Sequence, residues 1–412
     1  MKTLTKLCTF FLLASVMHVS AAVANDSFSV EGKIAGLEFN PESYKGSHFV
    51  YYYIPANFKK DKTAPAMVLL HGGGIGTSSL PAAKKTALAY LQSFIEMADR
   101  KGMPLVAPVS TIGWNYPTSY LLKELVQKIN LEVRINSDRI ILYGHSMGGM
   151  GITREAPYMI DLFSGFIPAA AGMQESYQTE PALKTFFDTL YIQINGKYDH
   201  FKEFLTLTEE VKEKMGNLES FLNLKSGFSQ VTTWGDHGND PAVVEGQLNS
   251  FLLKTKRKIY RRHMFPVFGR TYSSGSAHLT SPDIDAAHDS YYWLQARDLA
   301  QRNETYQVSG EATCKNNTYT ISLDDPEKNV QTLRVLISSK MVDLKKPVRI
   351  VVDGKEVFKD LVKKNPKRTR EIIDGRKDEQ FIFETYVDVT LELEPSRPLQ
   401  PFEPFYLSEP LY

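Results

Sequence analysis

The run Gly144-His145-Ser146-Met147-Gly148-Gly149 is the part of this sequence best suited to chemistry. It follows a buried-strand pattern, Arg139 to Tyr143, and opens a helix pattern at Met147. G-x-S-x-G in that context reads as a nucleophile elbow, a sharp turn that exposes a serine hydroxyl at the carboxyl end of a sheet. Glycines at 144 and 148 remove side chains that would collide where strand and helix meet. A serine hydroxyl is a weak nucleophile at neutral pH. It needs a base, and the base needs an orienting acid. For an elbow of this kind the chain order is serine, acid, histidine.

Asp199 is the expected acid. It ends the turn Asn195-Gly196-Lys197-Tyr198-Asp199 after the strand pattern Thr189 to Ile194. The plainer reading is a turn aspartate that caps the next helix. His237 is the expected base, in Gly235-Asp236-His237-Gly238 after the strand pattern Gln230 to Trp234. His200 is expected to point away from this site, and His71 and His145 to pack or hydrogen-bond on buried turns. Asp236 is expected to shape the loop and Asp240 to cap a helix. Acyl transfer also needs donors for a developing oxyanion. Met147 N–H supplies one. The second is expected from His71-Gly72-Gly73-Gly74-Ile75-Gly76, with Gly73 first and Gly74 second. No Gly-Lys-Ser/Thr completes a phosphate loop there.

These residues require a scaffold of strands ending at one edge. Apolar runs at His48–Ile54, Ala66–Leu70, Pro104–Val109, Arg139–Tyr143, Phe163–Pro168, Thr189–Ile194 and Gln230–Trp234 alternate with helix patterns. Ala83, Ala87, Leu91, Phe94, Ile95 and Ala98 mark one helical face, and Leu121, Leu122, Leu125, Val126, Ile129 and Val133 another. Met147–Leu162, bent by Pro157, Phe204–Met215 and Pro241–Leu253 are the remaining helices. That alternation predicts an α/β fold with a doubly wound, mostly parallel sheet over 25–255. Residues 256–299 read as a linker that starts with the solvated basic run Lys254 to His263. Tyr291, Tyr292 and Trp293 read as interdomain core. From about Tyr306 the apolar period becomes two, clearest in Phe381, Phe383, Thr385, Val387, Val389, Leu391 and Leu393. Asp353-Gly354 suits a type I′ hairpin. Residues 300–395 therefore read as a small all-β sandwich, and 396–412 as an extended tail.

Composition bounds the function. The chain has 412 residues, with 48 Lys plus Arg against 47 Asp plus Glu, so no basic field favours nucleic acid. Lys2, Lys6, the apolar stretch Leu7–Val19 and Ala22-Val23-Ala24 read as a signal peptide, 1–24, cut after Ala24. That predicts a periplasmic or secreted protein with no membrane span. Cys8 leaves with the leader, so Cys314 is a lone, buried cysteine that forms no intrachain disulfide. No HExxH or Cys/His zinc spacing occurs, so no metal or other cofactor is expected. Oligomeric state is not legible.

HGGG, GHSMGG, GKYD and the Asp-His-Gly loop together resemble the α/β-hydrolase superfamily over residues 45–255. More narrowly they resemble exported esterases of the feruloyl-esterase and polyhydroxybutyrate-depolymerase type, also called predicted peptidases. Depolymerase-type relatives usually rely on disulfides, which this mature chain cannot make. The resemblance implies catalytic Ser146, Asp199 and His237 with oxyanion donors at Gly73 and Met147. The expected activity is ester hydrolysis through an acyl-enzyme, on polysaccharide-linked or aryl esters. The alternatives are a serine peptidase, or an inert hydrolase-like scaffold with a binding β-sandwich. Ala169–Asp188 is too short for a large lid, so the site should be open. Trp114 and Tyr116, with Asn115 between them, are candidates for a pocket wall; packing on the scaffold is the equal alternative.

Overall fold

The computed structural model describes residues 24–25, 27–40, 48–60, 64–73, 77–111, 113–114, 116–238, 240–250, 255–270, 289–297 and 306–391. The expected leader up to Val23 and the expected tail lie outside the described residues. Among the described residues no helix is long and apolar enough to cross a membrane.

The first part of the chain runs β1 (Ala24–Asn25), β2 (Ile34–Phe39), β3 (His48–Tyr53), β4 (Ala66–Leu70), α1 (Leu80–Ser93), α2 (Ile95–Lys101), β5 (Leu105–Pro108), α3 (Tyr116–Glu132), β6 (Ile140–His145), α4 (Met147–Glu155), β7 (Gly165–Ala169), α5 (Glu180–Lys184), β8 (Leu190–Gly196), α6 (Lys202–Leu222), β9 (Phe228–Thr233) and α7 (Pro241–Ser250). Its nine strands form one sheet in the order β1-β2-β3-β5-β4-β6-β7-β8-β9. From β5 to β9 every pairing is parallel, whereas β3 is antiparallel to both β2 and β5.

The unbroken apolar runs follow from burial on both faces. Met67, Leu69, Ile141, Tyr143 and Ile192 join Leu91, Phe94, Met97, Val244 and Leu248 of α1, α2 and α7 and the turn between the first two. Ala66, Val68, Leu70, Ile140 and Leu142 join Leu121, Leu125, Ile129, Ile152, Val211 and Met215 of α3, α4 and α6. Alternate residues of each strand thus serve opposite layers, and both layers are oily.

The order of strands also locates the crevice. β4 leads to β5 on one side of the sheet, while β6 leads to β7 on the other. The chain changes direction of travel between β4 and β6. In open α/β sheets a ligand crevice opens outside the carboxyl ends of the strands at such a switch point. The glycine loop after Leu70 and the serine after His145 both leave the sheet there.

The remainder holds β10 (His263–Met264), β11 (Val267–Arg270), β12 (Ser290–Tyr291), β13 (Leu294–Ala296), β14 (Tyr306–Lys315), β15 (Thr318–Asp324), β16 (Thr332–Ile337), β17 (Val348–Val352), β18 (Lys355–Asp360), α8 (Pro366–Arg376) and β19 (Thr385–Thr390). They build a six-stranded sheet around β14-β15-β17-β18 and a four-stranded sheet β12-β13-β16-β19. The sheets meet where the Trp293 ring stands edge-on to Tyr319 at 4.9 Å. The Asp353-Gly354 turn has φ of 48° and 81° and joins antiparallel β17 and β18, as a type I′ hairpin requires.

Three expectations need correction here. The span 256–299, read as a linker, supplies β10 to β13 to the two sheets. Its basic run is not simply solvated. Arg257 is buried and pairs with Asp138 at 2.8 Å and Asp378 at 2.6 Å, and Arg261 pairs with Asp188 at 3.3 Å. Asp188 also accepts from Tyr291 Oη (2.7 Å) and Phe265 N–H (2.8 Å), so the aromatic run Tyr291–Trp293 sits in the interdomain core as read. Finally, α8 interrupts the β pattern, and the strand around Val387 begins only at Thr385.

Candidate active site

Ser146 sits at φ 53°, ψ −118°, a region that costs a non-glycine residue about 1–3 kcal/mol. The surroundings enforce it. Ser146 N–H donates to Ala169 O at 2.8 Å, and Ser146 O accepts from Met150 N–H at 2.8 Å as α4 begins. A Cβ on Gly144 would lie 2.4 Å from Gly148 O, and one on Gly148 would lie 2.2 Å from Leu70 O. Both contacts are to backbone, so glycine at each position permits the close strand–helix approach.

The structure brings the three expected residues into one hydrogen-bonded chain. His237 Nε2 is 2.9 Å from Ser146 Oγ, and His237 Nδ1 is 2.9 Å from Asp199 Oδ2. A carboxylate can only accept, so His237 Nδ1 carries the proton and Nε2 accepts from the serine hydroxyl. Asp199 is 2% exposed and its second oxygen accepts from Phe201 N–H at 2.8 Å. The acid and base loops are laced together by Lys197 N–H to Thr233 O (2.9 Å) and Tyr198 N–H to Gly235 O (3.0 Å). Asp236 accepts from Gly238 N–H and Asp240 caps α7 through Ala242 and Val243, the supporting roles read for them.

His200 differs from expectation. Its ring lies 5.0 Å from that of His237, and its Nδ1 is 3.8 Å from Asp199 Oδ1. The chain turns into α6 immediately after Asp199, which swings the next side chain back beside the base. Asp199, His200 and His237 could each offer one metal-ligand atom, all within 4.8 Å. His237 would have to release Asp199 or Ser146 to do so, and its present bonds are those of a proton carrier.

The glycine loop adjoins the serine. A Cβ on Gly72 would approach Ser146 Cβ to 3.1 Å. Gly73 has φ 136°, and a Cβ there would strike Thr77 at 2.3 Å. His71 is fully buried and braces the loop: Nδ1 bonds Gly72 O at 2.8 Å, and Nε2 accepts from Ser110 N–H at 3.0 Å. Burial lowers the His71 pKa and favours this neutral form. Trp114, read either as a pocket wall or as packing on the scaffold, is 2% exposed; its indole N–H donates to His71 O at 2.8 Å. It is a prop behind the loop, with Gly151 giving room for its Cβ. Tyr116 opens α3, and its side chain lies outside the described residues, as do Asn115 and Gly74.

His145 hydrogen-bonds on its buried turn as read, and it brings in Tyr90, a residue for which the sequence carried no expectation. His145 Nε2 donates to His237 O at 2.8 Å, and His145 Nδ1 accepts from Tyr90 Oη. Gly72 adjoins this pair: a Cβ there would lie 2.9 Å from Tyr90 Oη. This relay ties α1 to the main chain of His237. Burial holds His145 down at about 4, so it is neutral at working pH, as a one-donor, one-acceptor link requires. Burial raises Tyr90 to about 12, so it remains a donor.

No family model matches the sequence. A segment of 127 residues is 25% identical to pyrethroid hydrolase Ces2e of Rattus norvegicus. That match covers 29% of this chain and 22% of the rat protein, so it spans about a fifth of the relative's length. Among solved structures, a ferulic acid esterase shares 16% identity, with a TM-score of 0.40 over 55% of this chain and 98% of its own. An S-formylglutathione hydrolase from Agrobacterium tumefaciens shares 15%, with a TM-score of 0.39 over 53% and 92%. The strand order, the elbow after β6 and the acid and histidine turns after β8 and β9 define the architecture on their own terms: the first part of the chain has the α/β-hydrolase fold, followed by a mainly β part of two sheets and the helix α8.

Proposed function

We propose that this chain is a serine hydrolase that cleaves carboxylic esters through an acyl-enzyme. The observation that carries the reading is the Asp199–His237–Ser146 chain, with both links at 2.9 Å, at the switch point of the sheet. Ser146 Oγ attacks the ester carbonyl as its proton passes to His237 Nε2. Met147 N–H and Gly73 N–H receive the oxyanion. The imidazolium, held by Asp199, then protonates the departing alcohol oxygen, and the C–O bond breaks. Water, deprotonated by His237, attacks the acyl-enzyme, and the acid leaves as Ser146 regains its proton.

Polysaccharide-linked or aryl esters suit a half-exposed serine beside an exposed histidine loop. We take 25–255 as the catalytic domain and the protein as exported. The test is release of acid from a panel of acyl esters, acetyl to octanoyl plus feruloyl, by the mature protein and its Ser146→Ala variant. Serine-dependent turnover supports the reading. Turnover that survives in Ser146→Ala, or none from a folded protein on any ester, refutes it.

A further inference from the structure

His200 has no part in the reaction proposed above, yet it stands beside it. Its side chain is 66% exposed, its Nδ1 is 3.8 Å from Asp199 Oδ1, and its ring lies 5.0 Å from that of His237. Two imidazoles and a carboxylate are a set of proton carriers. They are also a set of ligand types: imidazole nitrogen suits zinc and its neighbouring transition cations, and carboxylate oxygen binds zinc as well.

The geometry fits such a cation. Among the described residues Asp199, His200 and His237 are the one group of histidine, cysteine and acidic side chains whose ligand atoms converge, all within 4.8 Å of one another. Tetrahedral zinc holds nitrogen and oxygen ligands at about 2.0–2.2 Å, which sets neighbouring ligand atoms about 3.4 Å apart. The pair Asp199 Oδ1 and His200 Nδ1 at 3.8 Å and the pair Asp199 Oδ2 and His237 Nδ1 at 2.9 Å bracket that spacing. The remaining closure falls to His200, whose exposed ring can turn. Water takes the fourth position. The surroundings support the ligands. Phe201 N–H donates to Asp199 Oδ1 at 2.8 Å and fixes the carboxylate. The Phe201 ring flanks both imidazoles, 4.1 Å from His200 and 4.9 Å from His237, and keeps water from one side of them.

The consequence falls on the base. Without a cation, Nδ1 of His237 carries the proton and Nε2 accepts from Ser146 Oγ at 2.9 Å. A cation on Nδ1 displaces that proton, and the neutral ring keeps it on Nε2 instead. Nε2 then donates to Ser146 Oγ and cannot receive its proton, so attack on the ester stops.

We propose that Asp199, His200 and His237 form an inhibitory site for a divalent transition cation of the zinc type. The proposal rests on the ester-hydrolase reading above and adds a control over its base. Only three protein ligands contribute, and the positive end of α6 begins close by at Lys202, so binding should be micromolar and reversible.

The mature protein and its His200→Gln variant are assayed on phenyl acetate against rising Zn²⁺ or Mg²⁺, each relative to its own metal-free rate, with EDTA added last. His200 is exposed, so the variant should fold, and a melting curve checks it. Wild type should lose activity to micromolar Zn²⁺ and regain it with EDTA. His200→Gln should need at least about tenfold more Zn²⁺, since even the partners of metal ligands are worth about 10- to 100-fold in affinity. Mg²⁺ prefers oxygen ligands and keeps its waters, so both proteins should stay active in it. Equal sensitivity of the two proteins to Zn²⁺, equal inhibition by Mg²⁺, or a loss that EDTA does not reverse overturns the site. Calorimetry of Zn²⁺ with Ser146→Ala, and with the same variant carrying His200→Gln, reads the site apart from turnover. One cation per chain is expected in the first, bound at least about tenfold more weakly in the second. If no ester is hydrolysed yet that difference appears, the hydrolase reading fails and the cation site stands. If hydrolysis depends on Ser146 while Zn²⁺ neither binds nor inhibits, the cation site fails and the hydrolase reading stands.

Discussion

Replacing His145 by alanine should cripple the proposed site without touching the substrate or the side chains of Ser146, Asp199 and His237. The His145 imidazole donates at 2.8 Å to the carbonyl of His237, so its loss frees the main chain of the base. Leaving that carbonyl and Tyr90 Oη without their partner costs about 1–3 kcal/mol of stability. The larger effect is positional. A shift of about 1 Å in a reacting group can cost on the order of 10²-fold in rate. We expect kcat to fall about 10- to 100-fold with KM nearly unchanged, because the bond orients the base and not the ester. His145→Gln, which can still donate to the carbonyl, should recover part of the loss. Tyr90→Phe removes only the hydroxyl that bonds His145 and should cost about three- to tenfold. Steady-state kinetics on a chromogenic acetate, with melting curves for each variant, is the assay. A folded His145→Ala protein with wild-type kcat would show that the relay does not hold the base. The same histidine sets a pH signature. It titrates near 6.5 when unfolded and at about 4 when folded. Between those values the unfolded chain binds a proton that the native protein refuses. Stability is therefore fully present above about pH 6.5 and is lost as pH falls to about 4, by up to about 3 kcal/mol. His145→Ala should flatten that limb of the melting profile.

Glu155, buried at the end of α4, shows the opposite slope. Burial raises it from 4.5 to about 7, so stability declines as pH rises through that window, by about 3 kcal/mol in total. Glu155→Gln should melt above wild type at pH 8 and match it at pH 4; equal melting points at both would contradict this. Arg257→Met should destabilise the joint between the two parts by about 3–5 kcal/mol, because Asp138 and Asp378 lose their shared cation. Calorimetry should then resolve two transitions, and one unshifted transition would refute the linkage. Cys314 is 1% exposed, and burial pushes its thiol up to about 11, so it should react with a disulfide reagent only as fast as the protein opens. Rapid labelling of the native protein would argue against that burial.

The three proposed reacting residues are legible because each is announced locally, by a strand followed by a turn of distinctive composition. Ser146, Asp199 and His237 follow β6, β8 and β9, and chain order pairs them. Contacts across the fold were not announced. Tyr90 precedes the buried Leu91 on α1, and nothing in its neighbourhood marks a partner 55 residues away. Trp114 read as a wall or as a prop with equal weight, since loop aromatics look alike until His71 O is found beneath one. The basic run near Arg257 looked solvated because its acids, Asp138 and Asp378, are 119 and 121 residues away. The short strands β10 to β13 carry two to four residues each, too few for a period to show. Helix α8 hid for another reason: it buries only Ile372 among its described side chains and has no apolar stripe, although Asn365 caps it and Pro366 opens it.

The central claim is that Ser146 is the activated nucleophile. Treating the mature protein with one equivalent of a fluorophosphonate, then mapping the adduct by mass spectrometry while following ester hydrolysis, tests it most directly. Attack by Ser146 Oγ forms an O–P bond, expels fluoride and passes the serine proton to His237. The expected result is one adduct per chain, on Ser146, formed in step with loss of activity and slowed by orders of magnitude in His237→Ala. An adduct on another residue, or hydrolysis that persists once Ser146 is fully modified, would contradict the account.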